Sequence, residues 1–222
     1  MTLEAEAAAN YVQTEAPRLI KVAGATAISF ALFDGANRAL CLANQQDVHD
    51  DAWQTALGYR GDAVSLTVVR LALLLDRDTR VISFQHIYSC LKRVDVADLL
   101  VHRMCHASPL AEALDDRIAD EVRTSTRRFL EIYTAIDWHD LHGRLQHFRN
   151  RGLVHLTPEQ IEKRVSYAEI SSLVHSVTVL AECLLPFDPN GVAVRLDEID
   201  DWSNHAKLVW EAAFRTVGKL SD

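Results

Sequence analysis

The chain gives itself almost nowhere to turn. One clear loop signal, Pro186-Phe-Asp-Pro-Asn-Gly191, stands near its end, and only five Pro and eight Gly are spread over 222 residues. Elsewhere apolar residues recur at helical spacing over long stretches. Such a chain is expected to fold as an all-α bundle of long helices. Val192, Val194 and Leu196 alternate and predict at most one short extended segment. No internal repeat or domain boundary interrupts the pattern. Residues 1–222 therefore read as a single helical domain with peripheral N-terminal and C-terminal helices.

The helix ends are marked by their capping residues. An Ala- and Glu-rich stretch from residue 3 to about 16 comes first, and Pro17 suits the start of a second helix reaching about Leu42. Ala23, Gly24, Ala25 and Ala27 allow close helix–helix approach there. A third helix runs from Asp50 to Leu75, its second half expected to be almost wholly buried through Val64, Leu66, Val68, Val69, Leu71, Ala72, Leu74 and Leu75, with Gly58 and Gly61 as kink points in the first half. Asp76 to Thr79 is a polar turn. Ser83 caps Phe84 to Leu91, and Asp95 caps Val96 to His106. Ser108-Pro109 opens a long charged helix to about Ile136, and Asp137 caps the next from Trp138. Thr157-Pro158-Glu159-Gln160 is a strong start signal for a helix to about Leu185. Ser203 caps the last, which ends near Gly218.

A composition 49% hydrophobic and 24% charged is enough to bury a core. The net charge of −8 argues against a generic nucleic-acid binder, which needs clustered cations, but leaves room for a small basic site on an acidic body. Cys41, Cys90, Cys105 and Cys183 form no CxxC pair and read as buried reduced thiols of a reducing cytosol. The N-terminus is acidic where a secretory signal would be basic. The longest uncharged run, Val22 to Phe33, is 12 residues, against the roughly 20 a membrane span needs. A cytoplasmic protein with no membrane role is expected.

Around Arg149 the charge balance reverses. Arg144, His147, Arg149, Arg151 and His155 lie close together with no acidic side chain among them. Such a cluster repels itself unless it is solvated or offered an anion, which makes it a phosphate-site candidate. The basic end of an ordinary helix, complementing the helix dipole, is the plain rival reading. His155 precedes the Thr157-Pro158 start signal, and a histidine there titrates near ~6.5, suited to proton transfer at neutral pH. On a straight helix Arg149 and His155 sit roughly 120° apart, whereas Arg151 shares a face with His155. Distortion at Gly152, or pairing across a two-fold axis, would bring Arg149 round; the spacing leaves these alternatives open.

Arg149-Asn150-Arg151-Gly152-Leu153-Val154-His155 resembles the R-x(4–6)-H motif of the HEPN superfamily (higher eukaryotes and prokaryotes nucleotide-binding), in which a polar residue often follows the Arg. The arrangement upstream, a buried segment at Leu66 to Asp76 and a short helix at Ser83 to Leu91, is similar to the abortive-infection AbiU-like branch, with Val154 in place of the usual Ala. The resemblance implies a HEPN-like helical bundle for the single domain and a metal-independent endoribonuclease, active as a homodimer that pairs two motifs in one cleft and needing no cofactor. It implies that His155 moves a proton as the ribose 2′-hydroxyl attacks the phosphodiester, that Arg149 stabilises phosphoryl charge, and that Asn150 orients His155 or the phosphate. The products would be a 2′,3′-cyclic phosphate and a 5′-hydroxyl. Arg144, His147 and Arg151 would bind RNA phosphate. The family setting is a toxin–antitoxin or phage-defence effector with a neutralising partner protein. A subgroup carries Tyr two places after the His; Thr157 stands there in this chain, so regulation through that Tyr is not expected. Many relatives are non-catalytic, so a helical module binding nucleotide, RNA or protein is the alternative.

Other candidates read as structural. His102 with His106, and His139 with His142, have metal-ligand spacing but lack acidic or Cys partners, so no metal site is expected. Arg123, Arg127 and Arg128 form a stripe expected to pair with Glu121 and Glu131 on a wet face. Trp138, Trp202 and Trp210 read as packing anchors, and Asp197 to Asp201 as a solvated acidic run.

Overall fold

The computed structural model describes residues 2–43, 48, 50–78, 80–107, 111–136, 138, 140–150, 165–188 and 199–217. Eight α-helices account for most of them: α1 Leu3–Leu42, α2 Asp50–Leu74, α3 Phe84–Leu91, α4 Val94–Ala107, α5 Ala111–Ala135, α6 Leu141–His147, α7 Tyr167–Glu182 and α8 Ile199–Val217. A 3₁₀ turn, Leu185–Phe187, follows α7. The described residues contain no strand, and the all-α expectation holds. The extended piece at 192–196, the start signals at Ser108-Pro109, Asp137 and Thr157-Pro158, His139, and the first half of the acidic run lie outside the described residues.

The spine is α1, 40 residues and therefore about 60 Å long. Thr2 caps it, its hydroxyl oxygen accepting the Ala5 N–H at 3.3 Å. Pro17 does not start a second helix; it lies inside this one. An interior proline removes a backbone hydrogen bond and costs about 3 kcal/mol. The offset lies in packing. Val12, Ala16, Leu19, Ile20, Ala23 and Ala27 run through the proline on one stripe and are at most 2% exposed. Helices α2, α8, α7, α4 and α3 all pack on α1.

Polar pins fix those neighbours. Arg70 of α2 donates to the Ala25 carbonyl at 2.8 Å and to Ser29 Oγ. Arg103 of α4 donates to Asn10 and Gln13 and pairs with Glu6. Asp34 joins three helices, accepting from Tyr167 Oη of α7 at 2.7 Å and from Ser203 Oγ of α8, and pairing with Arg38. Ser203 is thus buried inside α8 and is not its cap; the helix begins four residues earlier, at Ile199. Close by, Gly35 lets α1 and α8 touch, since a Cβ there would lie 2.5 Å from Ala206 Cβ.

Two apolar cores hang on this spine. The larger gathers α1 to α7 around Phe84, Phe129, Phe187, Leu71, Leu100 and Leu180, all fully buried. The smaller, at the far end of α1, comprises Ala39, Leu40, Ala56 and Phe214, with Trp53 and Trp210 packed against it. Trp202 packs on the larger core. Two stretches, α1 and Tyr167–Phe187 (α7 with its 3₁₀ turn), are long and apolar enough to cross a membrane, yet 61% of the most apolar window of each is buried inside the fold.

Several local expectations need correction. α2 is unbroken through Gly58 and Gly61, and Leu66 is 50% exposed, so its second half is not wholly buried. Ser83 has the extended backbone of a cap at α3, but its hydroxyl is buried without a partner among the described residues. α4 starts at Val94, with Asp95 in its first turn and bonded to Arg93 at 2.9 Å. α6 starts at Leu141, three residues after Trp138. The cap of α7 is Ser166, which forms a reciprocal capping box with Glu169. Cys90, Cys105 and Cys183 are buried as expected, whereas Cys41 is exposed.

Candidate functional site

The end of a helix leaves carbonyls without intrahelical donors. At the end of α2 two of these are met by α6: Gln146 Nε2 donates to the Ala72 carbonyl at 3.3 Å, and the His142 ring bonds the Leu75 carbonyl. Leu145, fully buried, anchors α6 beneath them. The short helix is thereby held against the turn that carries Asp76 and Arg77.

Arg144 sits on this helix but its charge is compensated. Its Nε donates to Asp140 at 2.9 Å, and its two terminal nitrogens reach Glu169 at 3.0 and 2.5 Å. The guanidinium and the Ser166 backbone and side-chain donors hold the Glu169 carboxyl down at about 2. The Arg144 guanidinium is itself held above its ordinary range, chiefly by the bond to Glu169. A phosphate would have to displace two carboxylates here. Arg144 ties α6 to α7.

Arg149 is placed differently. Past His147 the helix widens to π geometry at 148–150, a deformation frequent at functional positions. Arg149 is half-buried, and its Nε donates to Asn150 Oδ1 at 2.9 Å. No carboxylate among the described residues pairs with it. Among the described residues, two arginines five positions apart thus have different surroundings, one held by two carboxylates and one by none. The straight-helix geometry that favoured Arg151 does not hold at 148–150. Arg151 and His155 lie outside the described residues. His147 is half-buried, and its Nε2 is enclosed with no partner among the described residues.

His142 lies near this cation. Burial lowers its pKa below the ordinary histidine value; the Leu75 carbonyl and Asp76 oppose that shift, while Arg77 and Arg149 reinforce it. One ring thus feels both arginines, although they are far apart in sequence. Its Nε2 also faces Gln146 Nε2 at 3.5 Å. With its ring held by Gln146 and the Leu75 carbonyl and the neutral form favoured, His142 serves as a strut. Trp138 packs on it at 5.5 Å between ring centroids and on Tyr133 at 4.5 Å, so the tryptophan is an anchor as expected, but one beside the cations.

The remaining candidates are dispersed. His102 is exposed on α4, and the His106 side chain lies outside the described residues. No group of three or more His, Cys, Asp or Glu among the described residues could hold a metal. Arg123, Arg127 and Arg128 are exposed on α5, and no ion pair to Glu121 or Glu131 forms there. Burial pushes the Cys90 thiol up and the Cys183 thiol to about 11, which makes them poor nucleophiles. Arg77, in an unremarkable polar turn, is the residue sequence reasoning missed; only its position next to a long helix end hinted at it.

Compared with protein families, curated proteins and solved structures, the chain finds no match.

Proposed function

We propose that this chain is a metal-independent endoribonuclease of the HEPN type, acting at the Arg149–Asn150 helix end. The observation that carries the reading is the half-buried guanidinium of Arg149, fixed by Asn150 and paired with no carboxylate among the described residues. An arginine with no carboxylate to balance it favours an anion, and a phosphodiester is one it can grip with two nitrogens. Asn150 takes the Nε hydrogen, which leaves the terminal nitrogens of Arg149 for the phosphoryl oxygens. His155 would move the proton of the attacking 2′-hydroxyl. Cleavage would leave a 2′,3′-cyclic phosphate and a 5′-hydroxyl.

The proposal includes a homodimer, since one copy supplies a sparse catalytic set. Tyr59, Leu66 and Leu73, seven apart along α2, are 37%, 50% and 49% exposed and mark a stripe ending one turn before Arg77. A toxin or phage-defence role with a neutralising protein, and action in the cytoplasm, belong to the same proposal. A second reading, a non-catalytic RNA-binding module, is favoured by the engaged ring of His142, which leaves proton transfer to His155 alone.

The test is cleavage of labelled RNA by purified protein, with and without EDTA, beside His155→Ala and Arg149→Ala. Arg149→Ala should cost about two to three decades in rate, equivalent to ~3–4 kcal/mol of transition-state stabilisation. Arg151→Ala should be mild. Loss of cleavage in EDTA would contradict the metal-independent mechanism. Binding without cleavage would establish the module instead.

A further inference from the structure

We infer that the cavity between Arg77 and Trp138 is a stacking subsite for one nucleobase of single-stranded RNA; the inference rests on the RNA reading of Arg149 and names what lies beside it. The cavity holds about 280 Å³ and is lined by Arg77, Gln85, Tyr88, Tyr133, Thr134 and Trp138. Its size falls just under the ~300 Å³ at which pockets for drug-sized ligands begin, so it suits a single small planar ring system.

Three of its six lining residues are aromatic and in mutual contact. Tyr88 stacks on Tyr133 with centroids 4.5 Å apart and planes 24° apart, and Tyr133 meets Trp138 at 4.5 Å. Such walls attract planar π systems or cations. The charge on the rim separates these. Arg77 lines the cavity, is exposed and has no ion pair among the described residues. A cation in the wall disfavours a cationic guest and favours an aromatic ligand that carries negative charge. A nucleotide has both properties.

The wall also indicates how the base is read. Tyr133 Oη donates to Gln85 Oε1 at 2.7 Å, and Gln85 Nε2 donates to Ser89 Oγ at 3.1 Å. Thr134 Oγ1 donates to the Leu130 carbonyl at 2.7 Å, and Trp138 Nε1 to the Tyr133 carbonyl at 2.8 Å. The polar atoms are committed within the protein, so the pocket offers ring surface and few free hydrogen-bonding groups. Recognition by stacking accepts every base, because every base has a π face. The subsite therefore grips single strands with little sequence preference. Trp138 of this wall packs on His142 at 5.5 Å between centroids, and His142 stands about two helical turns before Arg149, so a stacked base would lie beside the proposed cleavage point.

The experiment uses the full chain and a fluorescent single-stranded oligonucleotide with 2′-O-methyl riboses, which cannot be cleaved by 2′-hydroxyl attack. Affinity is measured over a salt series for wild type, Tyr88→Ala, Tyr88→Phe and Arg77→Glu, with urea midpoints confirming the fold. Tyr88→Ala should weaken binding about tenfold, within the range for one stacked base, and Tyr88→Phe should bind like wild type. Arg77→Glu, at an exposed position that cannot disturb the core, should weaken binding and flatten the salt dependence by about one ion. Oligo-U and oligo-A of equal length should bind within a few-fold of each other.

No binding by the wild type at low salt overturns the subsite, as does wild-type affinity in both Tyr88→Ala and Arg77→Glu. If RNA is cleaved and Tyr88→Ala changes neither affinity nor KM, the subsite fails and the ribonuclease reading stands. If binding depends on Tyr88 and Arg77 while RNA is not cleaved, the ribonuclease reading fails and the subsite stands.

Discussion

Replacing Gly35 by Ala should destabilise this protein although it replaces a poor helix former with the best one. The added methyl would lie 2.5 Å from Ala206 Cβ, 2.6 Å from the Ser203 carbonyl oxygen and 2.8 Å from the Lys207 nitrogen, where ordinary contact begins near 3.4 Å. Two of those atoms are backbone, so no side chain can swing aside and α8 must retreat by about 1 Å. Overpacking of this kind costs about 1–3 kcal/mol, and a clash with backbone belongs at the upper end. The intrinsic helix preference returns about 1 kcal/mol. The net loss is about 2 kcal/mol, or about 4–8 °C in Tm for a chain of this size. Gly58 and Gly61 supply the control, because a methyl at either meets nothing within 4 Å. Alanine there should stabilise by about 0.5–1 kcal/mol each. Urea unfolding at constant m reads all three variants. If Gly35→Ala proved as stable as Gly58→Ala, α1 and α8 would not be packed at Gly35, and the reasoning would fall.

Other consequences follow from the ion pairs and the exposed stripe. Glu169 has a folded-state pKa of about 2 against an ordinary 4.5, so its contribution to stability is full above 4.5 and fades as pH falls toward 2. Glu169→Gln should flatten the pH dependence of the urea midpoint in that window; an unchanged profile would refute the Arg144 clamp. Arg144→Ala should lower stability yet leave the salt dependence of RNA affinity intact, and a slope reduced by one would restore Arg144 as a phosphate contact. Leu66→Lys with Leu73→Lys should yield a sedimentation monomer that no longer cleaves RNA. A dimer persisting in that double variant would move the proposed interface off α2.

Much of the fold was legible because helical periodicity is a local signal. α2 and α3 run almost as their apolar spacing predicts. The failures came where tertiary contacts outweighed a local rule. Pro17 reads as a helix start, but the stripe from Val12 to Ala27 runs through it and the packing of five helices outweighs one missing bond. Ser203 reads as a cap, but Asp34, 169 positions away, takes its hydroxyl. At the site, the Arg149–Asn150 pair stood out as a cation with a polar neighbour, and the structure joins them by one hydrogen bond. Arg144 looked equivalent because its neutralising partner, Glu169, lies 25 residues on. Arg77, Tyr88 and Tyr133 carried no signal, since aromatic and basic residues alternate there in space and not along the chain.

The two unequal cores on one helix give the molecule a graded resistance to opening. Fraying at the end built from Leu40, Ala56 and Phe214 exposes little apolar surface, so amides near that end of α1 should exchange with solvent through sub-global events. The amides of Leu19 to Phe30 face the larger core and should wait for global unfolding. Arg77, His142 and Arg149 belong with the slow half. A substitution that loosens Trp53 or Trp210 would change how the protein ages and is digested by proteases long before it changes what the Arg149 end can bind.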